Sequence, residues 1–233
     1  MNIARLWAEI EIEYTWRVDE IRFQENCALS LASVADRKKY RRAAVVLLYA
    51  HLEGFCVFAL RHFARAINDE AIQVKDASFA VAAAGCADVF AALRDPNTKC
   101  SLFRNTLPEE GKLHRFARDQ EFVERMADFK SEVVQIDDGV VDSESNLKPL
   151  VLRKNLFRLG LPHDLFKELD GTIHRLLELR NKIAHGERKE GIPDDEFATL
   201  RNAVIEVMRK VKSLVMSKLS DGAHLRSALP AGM

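Results

Sequence analysis

The chain has 233 residues, 48% of them apolar, and its 35 basic residues balance 35 acidic ones. That is enough apolar mass for one sizeable core, so a single domain over 1–233 is expected. Zero net charge argues against a protein that coats nucleic acid generally, while leaving room for a local basic site.

Residues 2–34 keep a helical spacing of apolar side chains, Ile3, Trp7, Ile10, Tyr14, Val18 and Ile21, with no proline or glycine before Gly54. The spacing predicts a long N-terminal helix, capped by Asn2, of the kind that packs along another long helix. Next comes a charge run, Asp36 to Arg42, in which five of the six residues from 37 to 42 are basic. If a second helix begins at Ala43, these cations sit at the positive end of its dipole, where they are unfavourable. A phosphate-binding edge built from Arg37, Lys38, Lys39, Arg41 and Arg42 would account for them, although most such runs are solvated surface.

Ala43 to Ala66 predicts a helix apolar almost all round, hence central and buried. His51 and Glu53 are its polar anomalies. A buried glutamate needs a cation or a proton, and Arg180, itself set in an apolar stripe, is the expected partner. The two anomalies and the arginine point to a shared site. Asp76 to Leu93 predicts a short alanine-rich helix, and Asp95-Pro96-Asn97 a turn. Pro108 can open a helix running to Val134. Acidic loop follows from Asp137 to Asn146, then a helix over Leu147–Leu159 that ends at Gly160 and Pro162. The last helix is capped by Asp194, and a flexible tail is expected over 220–233. No strand pattern, repeat or Gly-rich phosphate loop appears, so the class is all-α and no cofactor is indicated.

The four cysteines, Cys27, Cys56, Cys86 and Cys100, form no Cys-x-x-Cys pair, so neither a zinc site nor a disulfide framework is indicated. Reduced thiols fit a cytoplasmic setting. Glu9, Glu11 and Glu13 follow the N-terminus too closely for a signal peptide. The longest apolar run, Ala43 to Ala50, is too short to span a membrane, so no membrane partner is expected.

The stretch that organises the chain is Leu179-Arg180-Asn181-Lys182-Ile183-Ala184-His185-Gly186. It closes a helix expected over Leu165–Ala184 whose stripe is Leu169, Ile173, Leu176, Leu177, Ile183 and Ala184. Arg180 falls inside that stripe, which is costly without a charged or phosphate partner. Gly186 can stop the helix, leaving His185 in the last turn, where the dipole favours the imidazolium. A second Arg-x4-His, Arg158 to His163, is interrupted by Gly160 and Pro162, so only the 180–185 copy reads as functional.

Arg180-Asn181-x3-His185 at a helix end resembles the motif of HEPN domains (higher eukaryotes and prokaryotes nucleotide-binding). Tyr49-Ala50-His51-Leu52-Glu53-Gly54 resembles the signature of a prokaryotic HEPN-like nuclease branch, as does Asn146-Leu147 through Leu159-Gly160-Leu161. The resemblance covers roughly 35–215. It implies a HEPN-like helical bundle, here with a long N-terminal helix and additional helices. It implies a metal-independent endoribonuclease, usually a homodimer with its motifs facing across the interface, acting as a toxin or an effector of defence against phage. An antitoxin or defence partner goes with that setting. The catalytic residues would be Arg180, Asn181 and His185, supported by Tyr49, His51 and Glu53, with Lys182 and the basic run on RNA. The alternative is a non-catalytic HEPN domain that binds RNA, a nucleotide or a partner protein.

The chemistry fits these residue types. RNA carries its own nucleophile, the 2′-hydroxyl, so cleavage needs a base, an acid and a cation for the crowded phosphate. His185 can serve as base or acid. Arg180 can hold the phosphorane through its fork, and Asn181 can orient either. Positions 180 and 185 lie about 140° apart on an ideal helix. They converge only if the helix loosens at its end or if two chains contribute.

Overall fold

A computed structural model describes residues 3–95 and 111–226. Among them the chain forms eight α-helices and no strand. These are α1 (Ile3–Ser30), α2 (Val34–Asp69), α3 (Phe79–Ala84), α4 (Ala87–Arg94), α5 (Gly111–Asp128), α6 (Pro149–Arg158), α7 (Asp170–Ala184) and α8 (Asp194–Ser220). Short 3-10 turns lie at Asp138–Val140 and Lys167–Leu169.

The core is built around α2, which packs on α8, α1 and α7. Tyr49, Phe55, Phe63, Leu48, Leu52 and Leu60 are fully buried along it. Each such side chain contributes about 1.5–3 kcal/mol on leaving water, so α2 is the main source of cohesion. Its most apolar 18-residue window has mean hydropathy 1.9, and α2 is long and apolar enough to cross a membrane by length and composition; 56% of that window is buried within the fold. The run Ala43–Ala50 thus understates the element that carries it. A smaller assembly of α3 with α6 and α4 with α5 flanks the bundle.

Several boundaries differ from the sequence reading for identifiable reasons. The N-terminal helix ends at Ser30, not near residue 34, because the second helix already begins at Val34. Ser33 caps it, its hydroxyl accepting the Asp36 N–H at 3.4 Å. The basic run therefore lies inside α2, behind Asp36 in the first turn, and not at a bare positive helix end. The alanine-rich segment divides into α3 and α4 around Gly85 and Cys86, where Gly85 lies close against Val134. The helix expected to reach Val134 stops at Asp128, since Val134 instead donates its N–H to the Ile72 carbonyl and Val74 donates to Glu132. The segment before α7 is a 3-10 turn, so the motif helix starts at Asp170. Pro193 occupies the cap position of α8, and Asp194 is its first residue. The C-terminal segment does not fray at Ser220: through residue 226 it folds back, with His224 buried against Glu70 at 2.7 Å and Arg226 donating its N–H to Asp76 O. Asn2, Pro96, Asn97, Cys100 and Pro108 lie outside the described residues.

Candidate functional site

α7 is regular up to Ala184 and then stops in a glycine turn. Gly186 takes φ +73, its N–H reaching the Ile183 carbonyl and that of Glu187 the Lys182 carbonyl. This pair of reversed bonds satisfies the last carbonyls of the helix. Ile173, Leu176, Leu177 and Leu179 are buried, whereas Ala184 is exposed. Arg180 turns inward and is half-buried, while His185, as C-cap, is exposed to solvent.

Arg180 sits in a cradle of neutral groups. Its Nη1 donates to Asn146 Oδ1 and to Asn181 Oδ1, both at 2.8 Å. Its guanidinium lies 4.6 Å from the centre of the Tyr49 ring, a cation–π contact. Beneath it the Tyr49 hydroxyl accepts the Leu147 N–H at 2.6 Å, so Tyr49 ties the loop bearing Asn146 to α2. Burial, and then the Glu53 carboxylate, push the Tyr49 hydroxyl up to about 12, so it stays protonated and neutral.

The expected partnership of Glu53 with Arg180 is not made. No salt bridge joins them, and Glu53 is only half-buried, so the carboxylate is not forced to find a cation. Other buried or half-buried arginines of this chain do meet carboxylates. Arg17 pairs with Glu13, Arg41 with Asp194, Arg153 with Asp170, Arg175 with Glu196 and Arg201 with Glu25. Among the described residues Arg180 is held in place by two amides and a ring.

His51 does not share this site. It is buried on the side of α2 that meets α1, where its ring makes an edge contact with Trp16 at 5.7 Å. Burial, and then the Arg17 guanidinium, hold its pKa below the ordinary histidine value. Arg17 donates to the His51 carbonyl at 3.4 Å. A Cβ at Gly54 would lie 2.8 Å from that guanidinium, which would have to move aside for it. The segment 49–54 therefore serves two faces: Tyr49 supports Arg180, whereas His51 and Gly54 lock α1.

The basic run is likewise divided. Arg41 is buried and paired with Asp194 at 2.5 Å, and Arg42 donates to the Lys189 carbonyl. Lys38 accepts the Ile192 N–H at 2.9 Å through its carbonyl, and Gly191 lies against it so closely that a Cβ would fall 2.4 Å from the Lys38 Cβ. These residues clamp the segment that follows the motif turn. Arg37 donates to the Leu31 carbonyl at 2.7 Å, and Lys39 pairs with Asp36 at 3.2 Å. Lys182 pairs with Glu178 at 2.6 Å. The side chains left facing solvent are those of Lys38, Lys39 and Lys182.

Asn146 escaped the sequence reading as a site residue. It lies 34 positions before Arg180 in a polar loop, and its place next to Leu147 was its only trace. Asn155, buried, fixes the start of that loop by accepting the Asp142 N–H at 3.3 Å and donating to the Asp142 carbonyl at 2.7 Å. No group of three His, Cys, Asp or Glu side chains suited to a metal ion occurs among the described residues.

A family model described as RiboL-PSP-HEPN matches residues 12–217. Neither a curated protein nor a solved structure matches the chain.

Proposed function

The chain belongs to the RiboL-PSP-HEPN family, and from that premise we propose that it is an endoribonuclease that cleaves RNA by attack of the 2′-hydroxyl. The observation that carries the proposal is the Arg180 cradle. A half-buried guanidinium held by neutral groups keeps its remaining N–H donors and its charge for an anion, and a phosphodiester fits that fork. In this reading Arg180 stabilises the phosphorane, Asn181 and Asn146 aim it, and His185 moves the proton as base or acid. None of these roles requires a metal. Exposed Lys38, Lys39 and Lys182 draw the strand in.

The site is completed by a second copy. Because α7 stays helical to Ala184, Arg180 and His185 diverge by about 140°, and the loosened helix end that would join them in one chain is not adopted. A two-fold axis would bring the histidine of one protomer to the arginine of the other. The setting proposed is a cytoplasmic toxin or phage-defence effector with an antitoxin or system partner.

Incubation with total RNA in EDTA tests the reading. Fragments with 2′,3′-cyclic phosphate and 5′-hydroxyl ends are expected, and they should vanish in His185→Ala. Tight RNA binding with no products would replace the enzyme by a binding module. The shared site is tested by refolding Arg180→Ala with His185→Ala. Each homodimer should be dead, and mixed dimers should regain part of the activity; a verified mixed dimer without activity would assign both groups to one chain.

A further inference from the structure

The second Arg-x4-His stretch, set aside on sequence, lies in a large groove. Arg158 and His163 line an open groove of about 1330 Å³ together with Phe79, Phe90, Phe157 and Arg94. That exceeds the about 300–1,000 Å³ of ordinary small-molecule sites, so the groove suits a polymer better than a single metabolite. The remaining wall is alanines of α3 and α4, the loop of Asp137 to Asp142, and Gly160 and Leu161.

Two features define what would fit. The first is exposed aromatic surface: Phe79 and Phe157 are each 68% exposed, and the His163 ring stands edge-on to Phe157 at 5.7 Å. The second is a pair of guanidiniums without salt bridges, set in a wall that also carries Asp137 and Asp142. Arg158 donates only to the Val140 carbonyl at 3.3 Å, and Arg94 rests on the Phe90 ring at 5.8 Å. Neither forms a salt bridge among the described residues. His163 lies 3.8 Å from Asp164. The wall carboxylates are already engaged, Asp137 accepting the Gly139 N–H and Asp142 the Glu144 N–H; their spare lone pairs can take exocyclic amino groups. The outward-facing Phe157 ring, the Phe79 ring with the Arg226 guanidinium 4.8 Å from its centre, guanidiniums outside salt bridges and carboxylate acceptors together match unstacked bases on a phosphate backbone. The groove is also joined to the Arg180 site. Asp142 lines it, and Asn146, four residues on, bonds Arg180. Four residues span at most about 14 Å.

We propose that this groove is a single-stranded RNA subsite, in which Phe157 and Phe79 stack bases and Arg158, Arg94 and His163 meet phosphates, so that a strand leaving Arg180 runs along the 142–146 loop. This rests on the RNA reading above and extends it to a second binding surface. The test uses the full chain and fluorescein-labelled 2′-O-methyl RNA, which lacks the nucleophile and stays uncut. The double variant Phe79→Ala/Phe157→Ala should bind a long single strand more weakly, by about five-fold or more for each ring removed. It should cut a short reporter that reaches only the Arg180 site as fast as wild type. Both residues are exposed, so a wild-type melting curve is expected, and Phe157→Tyr should restore binding if the Ala variants lose it. Unchanged affinity for the long strand, or an equal loss on duplex RNA, would overturn the subsite. An unchanged RNA affinity together with loss of binding to an amphipathic helical peptide would assign the groove to a protein instead. Wild-type binding that depends on the two rings but yields no cleavage of ordinary RNA would uphold the groove and sink the enzyme.

Discussion

Two stretches of this chain share the spacing Arg-x4-His, and they are built differently. In 180–185 the glycine follows the histidine, so the arginine and all residues up to Ala184 lie on one helix. In 158–163 the glycine falls two places after the arginine. Gly160, at φ +70, ends α6 at once, with Leu161 donating its N–H to the Leu156 carbonyl at 2.8 Å. The chain then turns and His163 comes back beside Phe157. Both helices close with the same pair of reversed bonds, yet only Arg180 is gripped by side-chain amides. Spacing alone does not define such a site; the position of the helix stop and a distant amide do.

The largest expected effect separates the two copies in catalysis. Arg180→Ala should lower the cleavage rate about a hundredfold or more, and His185→Ala by about 10²–10⁴, measured on a short reporter. His163→Ala should leave that rate unchanged. A comparable loss in His163→Ala would erase the distinction.

The two glycine stops offer the next test, in stability. Placing alanine in the left-handed region costs about 1–2 kcal/mol, and Gly186 has open space around its missing Cβ. At Gly160 a Cβ would also lie 2.9 Å from the Ala80 Cβ, adding an overpacking cost of about 1–3 kcal/mol. Urea unfolding should therefore rank Gly160→Ala below Gly186→Ala, and equal losses would mean that α3 and α6 yield freely.

Tyr49 supports only the 180 copy. Tyr49→Phe strands the buried Leu147 N–H, a loss of about 1–3 kcal/mol, and should loosen the loop carrying Asn146. Reduced cleavage and faster amide exchange at Leu147 are expected; unchanged exchange would show that the hydroxyl does not hold the loop.

The smallest effect concerns His51, on the opposite face of the same α2 segment. Its folded pKa lies below the unfolded value of about 6.5, so the unfolded chain binds the proton first. Stability should fall as pH drops from the unfolded value through the lowered folded one, and rise with pH across that window. A variant His51→Phe should flatten this part of the stability profile. A profile with unchanged slope would place the titration elsewhere.

Much of the fold was legible because helices are local objects. The apolar patterns of α2, α7 and α8 record most of their buried faces, although Leu47 and Ala184 are exposed, and Gly160 and Gly186 mark stops that any L side chain would strain. The motif itself was readable as Arg180, Asn181 and His185, along with the turn that leaves His185 exposed. The sequence could not say where a charged side chain finds its partner, because that depends on elements distant along the chain. Arg180 met Asn146, 34 residues earlier, and not Glu53, since Tyr49 lies under the guanidinium and Glu53 stays half in water. Arg41 and Arg42, which read as an RNA-binding edge, turned onto Asp194 and Lys189 because the segment after the motif packs on α2. His51 faced α1 because residues two apart on a helix point about 200° apart, which separates it from Tyr49. Local spacing determined the helices and their stops; tertiary packing decided which cations met carboxylates and which, Arg180 among them, are held by neutral groups instead.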